Sequence, residues 1–382
     1  MIDCGTYIAG PAAAAVLGDF GAEVIKVEPP GGDPYRYLSL MPLMPRSEHL
    51  YCWILDNRNK RSIVLNLREE AGREALQRLA ATADVFVTNY QPELVTRFEL
   101  EYERLRKSNP RLIYAHVTGY GDRGEEANKP GYDITAYWAR SGLMGFMHNA
   151  DADPTISVAG FGDHPTAMAL FGAILLALYR RERTGQGSKV TTSLAANGAW
   201  SAACGLQAAL VGAQFPPRWS RKSTPNPLVN HYVALGGSRF LLCCLNPTKD
   251  WPNLCRALER PELVDDPRFS SYEGRTAHCV ELVALLDAAF GAQDMTAWQR
   301  RFADHDILWG PVPTVQEVAG DRQLAANGVF VDLADAPLRT VSSPIQVEGV
   351  EKVPPRLAPQ PGQHTAEILA ELGYDQEPNP RA

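Results

Sequence analysis

The feature that most constrains this chain is an alternation of short β-branched runs with helix-length segments through its first 120 residues. Pro11-Ala12-Ala13-Ala14-Ala15-Val16-Leu17 opens a helix with proline just inside its start, and Gly18 and Gly21 bracket its end. Glu23 to Glu28 then reads as a strand, cut off by Pro29-Pro30-Gly31-Gly32. The cycle repeats with a strand over Ser62–Leu67 and a helix over Glu69–Ala81, whose apolar positions are Ala71, Ala75, Leu76 and Leu79. Further strands are expected at Asp84–Thr88 and Leu112–Thr118. Strands separated by helices of this length predict an α/β fold with a mostly parallel sheet and helices on its faces. Met1 to Cys4 runs straight into a turn at Gly5, so a first strand here is either a stub or the end of one that begins earlier.

With 382 residues the chain exceeds one ordinary core. A long helix is expected from about His164 to Arg183, then a turn at Thr184–Gly187, a strand over Val190–Ser193 and an apolar helix to about Val211. Residues 213–228 are rich in Pro, Arg and Ser and read as a linker. From 229 to 329 the texture changes to a strand pair around Gly236-Gly237 and helices near Trp251–Leu258, Cys279–Phe290 and Met295–His305. This predicts a second, smaller α+β domain. Residues 330–382 read as extended, then helical at Thr365–Leu372.

A net charge of −7 argues against nucleic acid or an anionic membrane as a partner. The apolar stretch Ala167–Tyr179 is too short to span a bilayer, and no signal peptide precedes it. Seven cysteines without a CxxC pair read as reduced thiols of a cytoplasmic protein. The eight histidines have no metal-ligand spacing, so no metal is expected. One GxGxxG occurs, at Gly119–Gly124, but Glu125–Pro130 cannot start the helix that a dinucleotide site needs. That stretch reads as a mobile glycine loop. Glu28 reads as a solvated strand end. There is no GxSxG elbow, Walker loop or SxxK, so covalent chemistry must use a carboxylate or a thiol. The candidate lies in Gly160-Phe161-Gly162-Asp163-His164-Pro165, where Asp163 also reads as an N-cap of the long helix.

Several blocks in one order resemble the family III CoA-transferases, a superfamily that includes the α-methylacyl-CoA racemases. They are Ala9-Gly10-Pro11 with Leu17–Glu28; Asn59–Ile63; Ala83–Val87 with Asn89; Asn109–Tyr114; Pro130–Asp133; Arg183–Gly187; Asp266–Phe269; and Gly362–Thr365 with Glu371–Tyr374. The resemblance implies a Rossmann-like large domain over 1–212, completed by the return segment 330–382, with the small domain inserted. It implies an interlocked homodimer, and acyl-CoA and a small carboxylic acid as substrates with no tightly bound cofactor. Asp163 falls on the family's catalytic aspartate. The CoA-contacting positions carry over to Ile8, Ala9, Arg36, Leu65, Arg68, Asn89, Tyr90, Arg97 and Tyr132. Arg36, Arg68 and Arg97 suit phosphates, because a guanidinium offers forked charged donors.

The chemistry so implied is CoA transfer through an aspartyl anhydride and an aspartyl-CoA thioester. The alternative is racemisation at the α-carbon, which needs a base and an acid on opposite faces. The racemases carry a histidine in the block that here reads Gly131-Tyr132-Asp133, and a phenol, titrating at about pH 10, is a poor base at neutral pH. Asp133–Gly142 resembles transferases of 2-hydroxyacyl or aryl acids, with Tyr137 and Trp138 as possible lining of an apolar acyl pocket.

Overall fold

The computed structural model describes residues 1–42 and 44–374. The chain forms two compact units. The larger comprises residues 1–146, 155–213 and 326 onward; the smaller comprises 147–154 and 214–325.

The larger unit is a six-stranded sheet of β1 (Ile2–Cys4), β2 (Val24–Glu28), β3 (Lys60–Val64), β4 (Val85–Thr88), β5 (Ile113–Thr118) and β6 (Ser188–Ser193). Their order is β3-β2-β1-β4-β5-β6, and every pair is parallel. β1 is only three residues long, yet it is the strand at which the order reverses, paired to β2 on one side and β4 on the other. Continuous burial of β1, β2, β4 and β5 is what a sheet covered on both faces demands. β3 ends at Val64, short of the expected Leu67, although the Leu65 N–H still bonds the Glu28 carbonyl.

The helices follow as α1 (Ala9–Asp19), α2 (Tyr51–Asn57), α3 (Glu70–Thr82), α4 (Pro92–Arg97), α5 (Tyr102–Ser108), α6 (Leu143–Phe146), α7 (Asp163–Thr184), α8 (Leu194–Ser201) and α9 (Ala203–Leu210). All of α1 is buried, and its alanine run lets α7 pack closely on it. A π-helix spans Asp133–Ala139. α7 stops at Gly185, whose φ of 70° ends the helix in the left-handed region.

The chain returns along the outer edge of β3. Ser62 N–H donates to His364 Nδ1 (3.0 Å), and Val64 N–H donates to Thr365 Oγ1 (3.1 Å). Arg61 bonds Glu23, Glu367 and Glu371, so the helix Thr365–Glu371 is clasped to that edge. An otherwise open sheet margin is thereby covered. In this unit β10 and β11 (Phe330–Asp332 and Arg339–Val341) form a separate hairpin.

The smaller unit is an antiparallel sheet of β7 (Val229–Val233), β8 (Arg239–Cys243) and β9 (Trp309–Pro311). Its core is aromatic, with Phe240, Trp251, Phe290, Trp298 and Phe302 buried. Gly236 and Gly237, at φ 86° and 89°, make the β7–β8 turn.

Candidate active site

In an open parallel sheet the crevice beyond the carboxyl ends of the strands, where strand order reverses, is the natural ligand site. Here that point lies between β1 and β4. The segments leaving them, Thr6–Ala9 and Asn89–Gln91, line a cavity of about 620 Å3 together with Val117–Gly119 from the end of β5. Gly131–Ile134, Ala159, Gly160 and Asp163 line the same cavity.

The first turn is fixed from below. Thr6 N–H donates to Asn89 Oδ1 (2.8 Å), and the Asn89 amide returns a bond to the Thr6 carbonyl (2.7 Å). Tyr7 N–H reaches Asp33 Oδ1 (3.3 Å), and the Lys26 ammonium bonds the Gly5 carbonyl. Together these hold Tyr7 at φ 59°, a left-handed conformation that costs a non-glycine residue about 1 kcal/mol or more. α1 starts next to this turn, and no side chain caps its first N–H groups.

The loop before α7 explains its glycines. A Cβ on Gly162 would sit 2.2 Å from the Tyr137 ring, and one on Gly160, at φ 80°, would sit 2.8 Å from the His164 ring. Gly162 N–H donates to Asp133 Oδ1 (3.0 Å), anchoring the loop to the π-helix. Asp163 is the first residue of α7, and Gly162 occupies the cap position. The expected N-cap bond is not made. Among the described residues nothing donates a hydrogen bond to the Asp163 carboxylate, because Asp163 is already the first helical residue and the capping position is held by Gly162.

Burial pushes the Asp163 carboxyl up to about 7, and the neighbouring Asp133 and Asp56 carboxylates push in the same direction while His164 opposes them. Burial likewise raises Asp133, against the Gly162 N–H that favours its ionised form. His164 bonds the Gly160 carbonyl through Nδ1 (3.0 Å) and Asp56 Oδ1 through Nε2 (3.1 Å). Asp56 also accepts from the Tyr35 hydroxyl.

The sequence-derived residues divide between places. Ile8, Ala9, Asn89, Tyr90, Tyr132 and Asp163 share the main cavity. Leu65, Arg68 and Tyr90 line an adjacent one of about 340 Å3, with Pro29, Pro30 and Phe98. Tyr90 belongs to both. Arg97 is exposed at the end of α4, outside either lining. Arg36 departs from the expectation of a free phosphate ligand. It is buried, with Nε and NH2 on the Glu28 carboxylate (2.7 and 2.6 Å) and its plane 3.7 Å over Trp53. Glu28 is correspondingly not a solvated strand end but fully buried, accepting also from Ser62 Oγ and Asp33 N–H. Tyr137 and Trp138 are core residues. Sequence reasoning did not single out Asp56, which sits in α2 and meets His164 only through the tertiary fold.

No group of three or more His, Cys, Asp or Glu side chains among the described residues could hold a metal ion. No helix among them is long and apolar enough to cross a membrane.

A parallel α/β sheet with a cavity at its reversal point, a carboxylate in that cavity and a second pocket sharing Tyr90 is the arrangement in which such sheets bind organic ligands. Residues 1–365 match the model of CoA-transferase family III, and the chain belongs to that family. It is 30% identical to the (R)-2-hydroxy-4-methylpentanoate CoA-transferase of Clostridioides difficile, over 99% of this chain and 95% of that protein. It is 32% identical to the cinnamoyl-CoA:phenyllactate CoA-transferase of Clostridium sporogenes, over 99% and 93%. A crystal structure of a CAIB/BAIF family protein from Brucella suis superposes with a TM-score of 0.86 at 30% identity, covering 97% of each chain.

Proposed function

We propose that the protein transfers CoA from an acyl-CoA to a carboxylic acid, with Asp163 as the nucleophile. The observation that carries this reading is the Asp163 carboxylate itself: partly buried, without a hydrogen-bond donor among the described residues, and open to the main cavity. Hydrogen bonds to a carboxylate lower its nucleophilicity, and burial raises the energy of its ionised form, so this group is held reactive.

Asp163 attacks the thioester carbonyl of the donor, forming a mixed anhydride and expelling CoA thiolate. The thiolate then attacks the aspartyl carbonyl, forming an aspartyl-CoA thioester and releasing the donor acid. The acceptor carboxylate attacks that thioester, and the same exchange in reverse delivers the new acyl-CoA and regenerates Asp163. No proton transfer is required, so the site needs donors for the oxyanions and exclusion of water rather than a general base. The uncapped N–H groups at Ile8 and Ala9 supply such donors from the backbone, which makes an apolar side chain at Ile8 acceptable.

CoA itself is a substrate, and no tightly held cofactor is part of this reading. Its thioester end lies at Asp163, its chain passes Tyr90, and its phosphates meet Arg68 at the second cavity, with Arg97 one residue from Phe98 on that rim. The main cavity is lined by Tyr7, Leu38, Leu94, Val117, Ile134 and Leu194. Its single lysine, Lys129, is paired with Glu126 (2.6 Å). An apolar or aryl monocarboxylic acid, including 2-hydroxy acids, fits that lining, and the two named relatives act on acids of that kind by their names. Tyr132 at the rim offers no imidazole for racemisation.

A homodimer completes the reading. α9 is apolar yet has no buried residue, and Trp200 and Leu210 are more than four-fifths exposed. Such a surface calls for a partner. Residues 214–228, expected as a linker, fall within the smaller unit, where Arg221 pairs with Asp287, and seven free thiols suit a cytoplasmic setting.

The deciding experiment is incubation with cinnamoyl-CoA or 4-methylpentanoyl-CoA, trapping with hydroxylamine, and peptide mass spectrometry. A hydroxamate at Asp163 is expected. An unmodified Asp163 in an enzyme that still transfers CoA refutes the mechanism. Solvent deuterium entering the α-carbon without CoA exchange would establish racemisation instead.

A further inference from the structure

His164 stands beside Asp163 and is tied on both sides. Nδ1 faces the Gly160 carbonyl oxygen at 3.0 Å, which can only accept, so Nδ1 carries a proton. Nε2 faces Asp56 Oδ1 at 3.1 Å. The other Asp56 oxygen accepts from the Tyr35 hydroxyl, and the Asp56 side chain is only 4% exposed. If Nε2 bore a lone pair it would confront a carboxylate oxygen. A proton between them belongs to the imidazole, whose ordinary pKa lies above that of a carboxyl group. Both ring nitrogens are then donors, and the ring is a cation. It keeps 42% of its side-chain surface in solvent, which spares it the cost of a fully buried charge.

We propose that Asp56 holds His164 as an imidazolium that serves as the counter-charge of Asp163, making His164 a positioning residue of the site and Asp56 the residue that positions it. The inference rests on the reading of Asp163 as nucleophile for its functional meaning, but its chemical content, the charge state of His164, does not. The groups acting on Asp163 come from three elements besides its own helix. They are Asp133 on the π-helix, Asp56 on α2, and Tyr35 on the 3-10 turn Pro34–Leu40. Cys52 also neighbours Asp56. Lys60 on β3 also acts on Asp56; of the groups acting on Asp163 itself, His164 alone is cationic. Asp56 raises the His164 pKa by hydrogen bond and by charge, against burial, which lowers it. His164 in turn favours the ionised form of Asp163.

Two measurements decide. Nitrogen-15 NMR of ring-labelled protein, with His164 assigned by its absence in H164Q, reports the ring directly. Protonation of both nitrogens at pH 7 is expected in wild type and in D163N, and a neutral tautomer overturns the proposal. This arm works even if a variant of the buried Asp56 fails to fold. The second is the pH profile of kcat/KM in wild type, H164Q and D56N. In H164Q, loss of the imidazolium should move the acid limb upward by about one unit or more, with activity largely recovered above it, while in D56N the shift should be smaller because the Asp56 charge that also raises Asp163 is gone. A loss of activity equal at every pH, with the limb unmoved, assigns His164 a purely structural role and refutes the proposal. If D163N retains CoA transfer, the nucleophile reading fails while the NMR result stands, so the two failures are distinguishable.

Discussion

Two buried clusters of carboxylates in the large unit differ in one respect that governs what each can do. Beneath the first turn, Asp3, Glu28 and Asp33 meet Lys26, Arg36 and Lys60 in close ion pairs, each side chain at most 3% exposed. Burial would raise the Asp3 pKa, but Lys26 and Lys60 outweigh it and hold the carboxyl below its ordinary range. At the start of α7, His164 is the one cation among the described residues that acts on Asp163 against Asp133 and Asp56, Lys60 reaching only Asp56, and burial pushes Asp163 up to about 7. A balanced cluster is committed to architecture, here the shape of the Gly5–Ile8 turn. An unbalanced cluster leaves a carboxylate whose ionised form is costly and therefore reactive.

The sharpest way to break this contrast is to remove a carboxylate from the second cluster. Asp163→Asn should lower kcat by about 10⁴-fold in a coupled CoA-transfer assay, while far-UV circular dichroism stays unchanged. In the first cluster the expected loss is of stability. Lys60→Met strands Asp3 beside Lys26 and should cost about 3–5 kcal/mol in urea unfolding, as expected for half of a buried pair. The same urea titrations should show Asp163→Asn to be more stable than wild type at pH 8, by about 1–3 kcal/mol. The sign follows from the raised pKa: the contribution of protonated Asp163 is fully present below the unfolded value near 4 and is lost as pH rises through about 7. The gap between the two proteins should therefore close as pH falls toward 4. Wild-type kcat/KM should fall tenfold per pH unit on the acid side of about 7, where the nucleophile is protonated. Smallest of all, Arg68→Ala should raise KM for acyl-CoA several-fold and change stability by less than about 0.5 kcal/mol, being exposed. Arg36→Ala should do the reverse, destabilising the fold through Glu28. Equal effects at the two arginines would erase the distinction between architecture and binding.

Much of this was legible in the sequence because it is local. Val24–Glu28 and Ile113–Thr118 are strands whose β-branched runs match continuous burial, and Gly185 closes α7 where the Thr184–Gly187 turn was expected. Asp163 stood out as a candidate through the ordered family blocks, its glycine frame alone reading as a helix cap, and it lines the main cavity. The misses are non-local. Arg36 carries no sequence sign that Glu28 will take it, since that pairing needs β2 and the turn at Pro34 to fold back together. Asp56 meets His164 across 108 residues. The π-helix at Asp133–Ala139 has no periodicity of its own, and short helices such as α2 and α4 offer too few turns for an apolar stripe to register.

The clasp of Thr365–Glu371 on β3 has a consequence for biosynthesis. Residues 60–64 leave the ribosome early, but the groups that satisfy the outer amides of Ser62 and Val64 come some 300 positions later. While residues 214–325 are being made and fold by their own aromatic core, the larger sheet waits with one margin unsealed. Nascent chains stalled before residue 362 should recruit chaperones or pair with one another through that margin. The helix Thr365–Glu371 thus acts as a timing device, setting the moment at which this margin is sealed.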